Sequence, residues 1–212
     1  MTLRLLDPAS PPPYRPDRVL VAGGSGAGKT TVARKLAALF ELDHIDLDAL
    51  YYRPGWQPRE DFPDDVERLT RPARWITEWH YPEVARLLAR RAQLLVWLDY
   101  SVPLTMTSLL LRTLLRSLHR EVLWSGNQEP PLRSVLTDPE NILRYGWTTR
   151  HLTRDSLREM ARRPVPDRLD VVRFTRPAAL SRWLLGPARD AARAHAAAAP
   201  APGRSTDAAR LR

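Results

Sequence analysis

The fold is decided by the stretch Val19-Leu20-Val21-Ala22-Gly23-Gly24-Ser25-Gly26-Ala27-Gly28-Lys29-Thr30-Thr31, in which an apolar run leads into a glycine-rich loop. Residues 23–30 match the pattern G-x-x-x-x-G-K-S/T, and they lie after a predicted strand and before a predicted helix, as that pattern requires. Four of the chain's nine glycines and one of its two lysines fall in these eight residues. With residues this scarce, a chance match is roughly a one-in-a-thousand event, so the sequence predicts a loop that binds phosphate.

Each residue type in this loop has a physical role in holding the phosphates of a nucleotide. Glycines allow the positive φ angles that turn successive backbone N–H groups inward, and the following helix adds its positive amino-terminal dipole. Lys29 can reach the β and γ phosphates, and the Thr30 hydroxyl can ligate Mg²⁺. We therefore expect ATP with Mg²⁺ to bind at the following residues: Gly23, Gly24, Ser25, Gly26, Ala27, Gly28, Lys29, Thr30 and Thr31.

Length and composition restrict the class of protein. The 212-residue chain is long enough for one well-cored domain but not for two of full size. It contains no cysteine, which excludes disulfides, thiolate catalysis and cysteine metal sites. The amino terminus has no signal-peptide pattern, and no run of about 18 apolar residues is present. We therefore expect a cytoplasmic protein that does not contact a membrane.

The chain is strongly basic. Its formal charge is +9, and all but two of its 33 basic residues are arginine. Such an excess suits anionic partners, either the phosphates of a nucleotide or a nucleic acid. Solvated surface arginines explain the same excess, so charge alone leaves the partner open.

The order of patterns along the chain predicts the α/β class, a three-layer P-loop domain with a five-stranded, mainly parallel sheet. We expect residues 1–17 to be a flexible leader, 18–186 the domain, and 187–212 a disordered tail rich in Ala, Pro and Arg. Short apolar runs alternate with helical spacing of Val, Leu and Ala, which indicates crossover helices. The five predicted strands are Val19–Val21, His44–Asp48, Trp75–Glu78, Leu94–Asp99 and Val171–Phe174.

Residues 102–168 show no strand pattern and predict a helical, arginine-rich lid of two helices. On the first helix an apolar stripe of Met106, Leu110, Leu114 and Leu118 is expected beside a row of Arg112, Arg116 and Arg120. On the second helix the row is Arg150, Arg154, Arg158 and Arg162. Lid arginines can stabilise a transferring phosphoryl group, so we assign Arg112 to the nucleotide and Arg116 to catalysis. A solvated charged face is the alternative for each of them.

Acidic residues end the predicted strands next to the phosphate loop. Asp46 and Asp48 share one side of a strand with two-residue periodicity, so one could serve Mg²⁺ while the other orients or deprotonates an acceptor hydroxyl. The alternative is a pair of turn aspartates or a helix N-cap. Glu78 and Asp99 also follow apolar strands, and the residues alone do not rank them.

Five segments, in this order, resemble the topology modulation proteins, relatives of adenylate and shikimate kinases: the phosphate loop, His44–Tyr51, Pro54–Trp56, Trp75–Glu78 and Leu98–Tyr100. The resemblance covers about residues 18–185. It implies that Asp46 serves magnesium, that Asp48 serves the acceptor, and that Glu78 is a catalytic candidate whereas Asp99 is structural.

The resemblance also bears on the loop after the last strand and on the third strand. The corresponding loop packs on adenine in the kinase relatives, which implies nucleotide contacts for Arg176 and Pro177.

Relatives commonly carry Gly-Asn-Tyr after the third-strand glutamate, whereas this chain has Trp79-His80-Tyr81, which implies a different acceptor pocket. His44 and His80 have no second ligand at metal spacing, so no zinc site is predicted.

Two functions follow as hypotheses. The first is a kinase that transfers the γ-phosphate of Mg-ATP to a small molecule or nucleotide, with Lys29, Asp48, Glu78 and Arg116 as catalytic residues and Thr30 and Asp46 at the metal. The second is an ATP-dependent regulator that binds nucleic acid through its arginine rows without phosphotransfer. The paired aspartates favour the kinase, because a binding module has no use for carboxylates beside phosphates.

Overall fold

The computed structural model describes residues 2–119, 122–127, 141–162 and 168–198. Its centre is a parallel sheet in the order β1-β6-β5-β2-β4-β3. The strands are β1 (Thr2–Leu6), β2 (Arg18–Gly23), β3 (Asp43–Ile45), β4 (Trp75–Trp79), β5 (Leu94–Leu98) and β6 (Arg168–Phe174). Because every pairing is parallel, all carboxyl ends meet at one edge of the sheet.

Helices cover both faces of the sheet, giving the predicted three-layer α/β architecture. They are α1 (Lys29–Phe40), α2 (Leu47–Tyr51), α3 (Phe62–Leu69), α4 (Pro82–Arg91), α5 (Val102–His119), α6 (Ile142–Thr148), α7 (Leu152–Arg162), α8 (Pro177–Leu185) and α9 (Pro187–Ala198), with a 3-10 turn at Trp124–Gly126. Val19 and Val21 face a core shared with α1, α8 and α9. Leu20 and Ala22 face a second core shared with α3, α4 and α7, as the alternation of a strand requires.

The central strand carries the glycine-rich loop to the point where the strand order reverses. Strand β2 pairs with β4 on one side and with β5 on the other. After β4 the chain therefore passes to the opposite side of β2 to form β5. Ligands of open α/β sheets bind at such a switch point, outside the carboxyl ends of the strands.

The sheet has six strands, and the prediction of five is wrong by one edge strand. Residues Thr2–Leu6, predicted to be a flexible leader, pair in parallel with β6. Arg4 forms an ion pair with the buried carboxylate of Asp170, and the Tyr14 hydroxyl donates to the same carboxylate at 2.8 Å. The leader was misjudged because its partner strand lies more than 160 residues away, and no local pattern records that pairing.

The predicted disordered tail is also corrected over its first part. Residues Pro187–Ala198 form helix α9, and Ala188 and Ala191 are buried against the core that α1 lines. Small side chains bury little area individually, but they let two helices approach closely, which composition alone does not reveal. The rest of the predicted tail lies outside the described residues.

The excursion after β5 begins as predicted and then departs from the prediction. In the described residues 141–162 two helices, α6 and α7, stand where one was predicted, and α7 packs through Leu157 onto the sheet as a crossover helix. On α5 the buried residues are Leu109 and Thr113, whereas Leu118 of the predicted apolar stripe is 77% exposed. Arg120 lies outside the described residues. Within the described ranges, no helix is both long and apolar enough to cross a membrane.

Candidate active site

The glycine-rich loop closes onto the amino terminus of α1. Gly26 and Gly28 have φ angles of 80° and 85°, in the left-handed region that glycine adopts without strain. The Ala27 N–H donates to the Gly24 carbonyl at 3.1 Å and closes a turn. A Cβ at Gly24 or Gly28 would meet no atom within 4 Å. The loop is therefore open at these two positions, as a backbone cradle for phosphate has to be.

Lys29 folds back onto its own loop. Its Nζ donates to the Gly24 carbonyl at 3.2 Å. Burial lowers the pKa of Lys29, an effect that the nearby carboxylates of Asp48 and Glu78 oppose and the Arg112 guanidinium reinforces. These electrostatic couplings bring the loop lysine, both candidate carboxylates and one lid arginine into a single site.

Glu78 lies at the end of β4, directly beside β2. Its register partner on β2 is Val21, and its side chain is 3% exposed. Burial favours the neutral acid, but the neighbouring His44, His80 and Thr30 side chains outweigh it and hold the pKa of Glu78 below its ordinary value. His44 Nε2 lies 3.4 Å from Glu78 Oε1. The predicted metal-binding Thr30 is thus one of the groups that favour the carboxylate form of Glu78.

Asp48 has two side-chain partners from the segment after β4. The Tyr81 hydroxyl donates to Asp48 Oδ1 at 2.6 Å, and His80 Nε2 lies 3.0 Å from the same oxygen. Burial opposes ionisation, yet the partners His80, Tyr81 and Lys29 together hold the pKa of Asp48 below its ordinary value. Burial and the Asp48 charge in turn raise the pKa of Tyr81.

Asp46 and Asp48 do not share one side of a strand, because β3 already ends at Ile45. Asp46 is instead the N-cap of α2, and its Oδ1 accepts from the backbone N–H groups of Asp48 and Ala49 at 3.1 and 3.3 Å. Its Oδ2 accepts from Trp124 Nε1 at 2.9 Å. The alternative interpretation of Asp46 as an N-cap is therefore what its geometry supports, while the metal role stays a prediction.

The predicted arginines lie in different surroundings. Arg112 and Arg116 are half-buried on α5, and Arg112 is close enough to Lys29 to lower its pKa. Arg154 Nε donates to Asp99 at 2.6 Å, and Arg173 donates to the other oxygen of the same buried carboxylate at 2.8 Å. Asp99 thus ties α7 to β6, which fits the structural role that the resemblance implied for it.

The remaining predicted nucleotide contacts lie at the edges of the site. Arg176 is the N-cap of α8 and Pro177 is its first residue, so both follow β6 at the carboxyl edge of the sheet and are exposed. Thr31 is exposed on α1. Ser25 lies against α6, since a Cβ at Gly146 would come within 3.3 Å of the Ser25 Cβ.

Sequence reasoning missed four side chains of this site: His44, His80, Tyr81 and Trp124. The two histidines were dismissed because neither has metal spacing, and among the described residues no group of three His, Cys, Asp or Glu could hold a metal. Each histidine instead approaches one candidate carboxylate. His80 and Tyr81 directly follow β4 at the edge where ligands bind, and that position was the signal that could have identified them. Trp124 had no such signal.

The site and topology together define the class. A parallel sheet with the phosphate loop after its central strand, a lysine and threonine opening the next helix, and a helical excursion after β5 make this chain a P-loop protein of the nucleoside-kinase-like type.

Comparison with known proteins gives a family match and several structural likenesses. The Zeta toxin family model matches residues 4–61, about a quarter of the chain. No curated protein matches the chain significantly. A sugar kinase from Janibacter sp. HTCC2649 is 16% identical with a TM-score of 0.42, covering 84% of this chain and 98% of its own. A gluconokinase from Sinorhizobium meliloti 1021 is 17% identical with a TM-score of 0.42, covering 87% and 98%.

A shikimate kinase from Acinetobacter baumannii, solved with shikimate, is 21% identical with a TM-score of 0.44, covering 85% of this chain and 90% of its own. The family match ends before α3 and includes the phosphate loop, α1 and α2. It therefore leaves out Glu78, His80 and the lid, and the function has to be inferred from the geometry of the site.

Proposed function

We propose that this protein is a small-molecule kinase that transfers the γ-phosphate of ATP to a hydroxyl group. The observation that carries the proposal is that two carboxylates, Asp48 and Glu78, both act electrostatically on Lys29 of the phosphate loop while each keeps a pKa below its ordinary value. A loop that only binds nucleotide gains nothing from two negative charges beside its phosphates, since they repel the ligand. Phosphoryl transfer needs such carboxylates, one for the metal and one for the nucleophile.

The residues divide into three roles. The backbone of the loop and Lys29 hold the β and γ phosphates, and Arg112 and Arg116 supply further positive charge from the lid. Asp48 orients the acceptor hydroxyl and takes its proton. The acceptor oxygen then bonds to the γ-phosphorus, the bond from that phosphorus to the β–γ bridging oxygen breaks, and ADP leaves with its electron pair.

The site has residues that suit Mg²⁺. The Thr30 hydroxyl and the buried, ionised Glu78 are adjacent oxygen donors, and hard divalent cations prefer such ligands. When bound, the ion would neutralise charge on the β and γ phosphates. Glu78 orients the threonine hydroxyl, and His44 orients Glu78. Asp46 is a weaker candidate, because both of its oxygens already accept hydrogen bonds.

The test is ADP release from Mg-ATP with a panel of acceptors: AMP, UMP, glucose, gluconate and shikimate. Wild type is expected to turn over faster with at least one acceptor, and Asp48→Asn is expected to lose about 10²- to 10⁴-fold of that rate, the usual range for a general base. Asp43→Asn is the matched control, because Asp43 is exposed at the start of β3. ATP binding without acceptor-dependent release in the wild type would overturn the proposal.

The nucleic-acid regulator gains no support from the arginine rows. In the second row Arg154 is engaged by Asp99 and Arg158 by Asp155 at 3.1 Å. Guanidinium groups paired inside the chain neutralise fewer phosphates of a nucleic acid. We therefore keep the kinase as the proposed function.

A further inference from the structure

His80 occupies a position that the resemblance left unexplained. Strand β4 ends at Trp79, and the chain then turns into α4 with Tyr81 as its N-cap. His80 and Tyr81 are therefore consecutive residues that both leave the carboxyl edge of the sheet. Both side chains reach Asp48, which lies on α2, more than thirty residues earlier in the chain.

The two contacts fall on one oxygen of Asp48. Tyr81 Oη is 2.6 Å and His80 Nε2 is 3.0 Å from Oδ1. Two donors converging on a single oxygen fix the rotation of a carboxylate about its Cβ–Cγ bond, which otherwise turns freely. The other oxygen, Oδ2, is then held in one direction and stays available to an acceptor.

The chemistry of the contact decides which group donates. The ionised carboxylate of Asp48 can only accept a hydrogen bond, so His80 presents Nε2 as N–H. Its other nitrogen, Nδ1, is buried without a hydrogen-bond partner among the described residues. The N–H at Nε2 is therefore the group that holds the Asp48 carboxylate in place.

We propose that His80 is a positioning residue which, together with Tyr81, orients Asp48 so that Oδ2 faces the acceptor hydroxyl. This inference rests on the proposed kinase function, and it concerns a residue at which this chain differs from the asparagine of the family pattern. His80 acts through Asp48 and does not itself touch the transferred group.

The experiment compares His80→Gln, which keeps an N–H donor in the Nε2 position, with His80→Leu, which removes it at similar volume. With the best acceptor of the panel, His80→Leu is expected to lower kcat about 10- to 100-fold with the KM for ATP unchanged, because a misplaced catalytic group costs rate more than nucleotide binding. The kcat of His80→Gln is expected to lie closer to that of wild type than to that of His80→Leu when the three values are compared on a logarithmic scale. His151→Leu, at an exposed histidine near α7, is the control for general effects.

A second readout does not depend on activity. In nitrogen-15 spectra of the ligand-free protein, His80 is expected to show the Nε2–H tautomer, and Asp48→Asn is expected to shift the Nε2 resonance. A merely structural histidine would lower thermal stability in both His80 variants alike, without rescue by glutamine.

The outcomes separate the two hypotheses. A wild type with acceptor-dependent transfer and a His80→Leu variant with unchanged kcat would overturn the positioning role while leaving the kinase intact. An Nδ1–H tautomer, or an Nε2 resonance unaffected by Asp48→Asn, would overturn it even for the free protein. Absence of transfer in the wild type with every acceptor would overturn the proposed function, and the positioning role with it.

Discussion

Three alanine substitutions in the phosphate loop separate backbone strain from steric overlap. At Gly24 φ is not positive and a Cβ would meet nothing within 4 Å. At Gly28 the space is equally open, but φ is 85°. At Gly26 φ is 80°, and a Cβ would overlap the Thr105 carbonyl oxygen and lie 2.9 Å from the Leu109 Cβ. An alanine would therefore meet neither effect at Gly24, backbone strain alone at Gly28, and both strain and steric overlap at Gly26.

The magnitudes follow from these environments. Gly24→Ala is expected to change the free energy of unfolding by less than about 1 kcal/mol, because alanine fits and only the unfolded chain loses freedom. Gly28→Ala is expected to cost about 1–2 kcal/mol for holding a side chain in the left-handed region. Gly26→Ala adds about 1–3 kcal/mol of overpacking against α5, for a total of about 2–5 kcal/mol. A domain near the middle of the usual range of about 5–15 kcal/mol still folds after that loss.

Urea unfolding of the three variants without nucleotide, followed by far-ultraviolet circular dichroism, measures these differences directly. The expected order of stability is Gly24→Ala above Gly28→Ala above Gly26→Ala. Equal stabilities for Gly26→Ala and Gly28→Ala, within about 0.5 kcal/mol, would refute the close packing of the loop on α5. The excursion would then be free to move without disturbing the loop.

Three further predictions concern side chains of the site. Asp99→Asn is expected to cost about 2–3 kcal/mol, below the range for a fully buried pair because the two arginine partners are partly exposed. The stability of Asp48→Asn is expected to differ most from that of wild type near neutral pH. The depressed pKa of Asp48 stabilises the folded protein at pH values above the pKa of the unfolded chain, near 3.8, and this contribution is lost as the pH falls through the pKa of the folded state. Trp124→Phe removes the N–H that donates to Asp46 and is expected to cost about 1 kcal/mol.

Urea titrations at several pH values between 3 and 7 test all three. Asp99→Asn equal in stability to wild type would contradict a tie between α7 and β6. A stability difference for Asp48→Asn that grows on acidification would show that the pKa of Asp48 is raised in the folded protein. Trp147→Phe is the control for Trp124, because Trp147 is 52% exposed. An equal loss of stability in Trp124→Phe and Trp147→Phe would show that the hydrogen bond from Trp124 to Asp46 does not stabilise the protein.

The core of the fold was predictable from the sequence because its signals are local. Strand β2, the glycines and Lys29 are contiguous, and Glu78 follows an apolar run whose place at the carboxyl edge comes from parallel order alone. Strand β1 was not predictable. It consists of five residues at the edge of the sheet, and its parallel partner, β6, is distant in sequence.

The error about the paired aspartates has a physical cause. His-Ile-Asp-Leu-Asp alternates apolar and polar residues as a strand does, but a leading aspartate is also a strong N-cap. In the structure Asp46 is the N-cap, because its side chain accepts from two backbone N–H groups of α2. The strand that precedes it, β3, is only three residues long. Asp48 consequently enters the site from the first turn of a helix, where the side chains after β4 can reach it.

Charged side chains from several elements act on one another in this site. Asp48 and Glu78 both act electrostatically on Lys29, and these carboxylates partly offset the effect of burial on its pKa. The phosphates of a nucleotide would add negative charge beside both carboxylates, stabilising the protonated lysine and opposing ionisation of the acids. Further positive charge in the loaded site would therefore favour the ionised form of Asp48, in addition to the effects of His80, Tyr81 and Lys29. Arg112 acts electrostatically on Lys29 from α5, so a position of this helix close to the loop favours an Asp48 that can accept a proton.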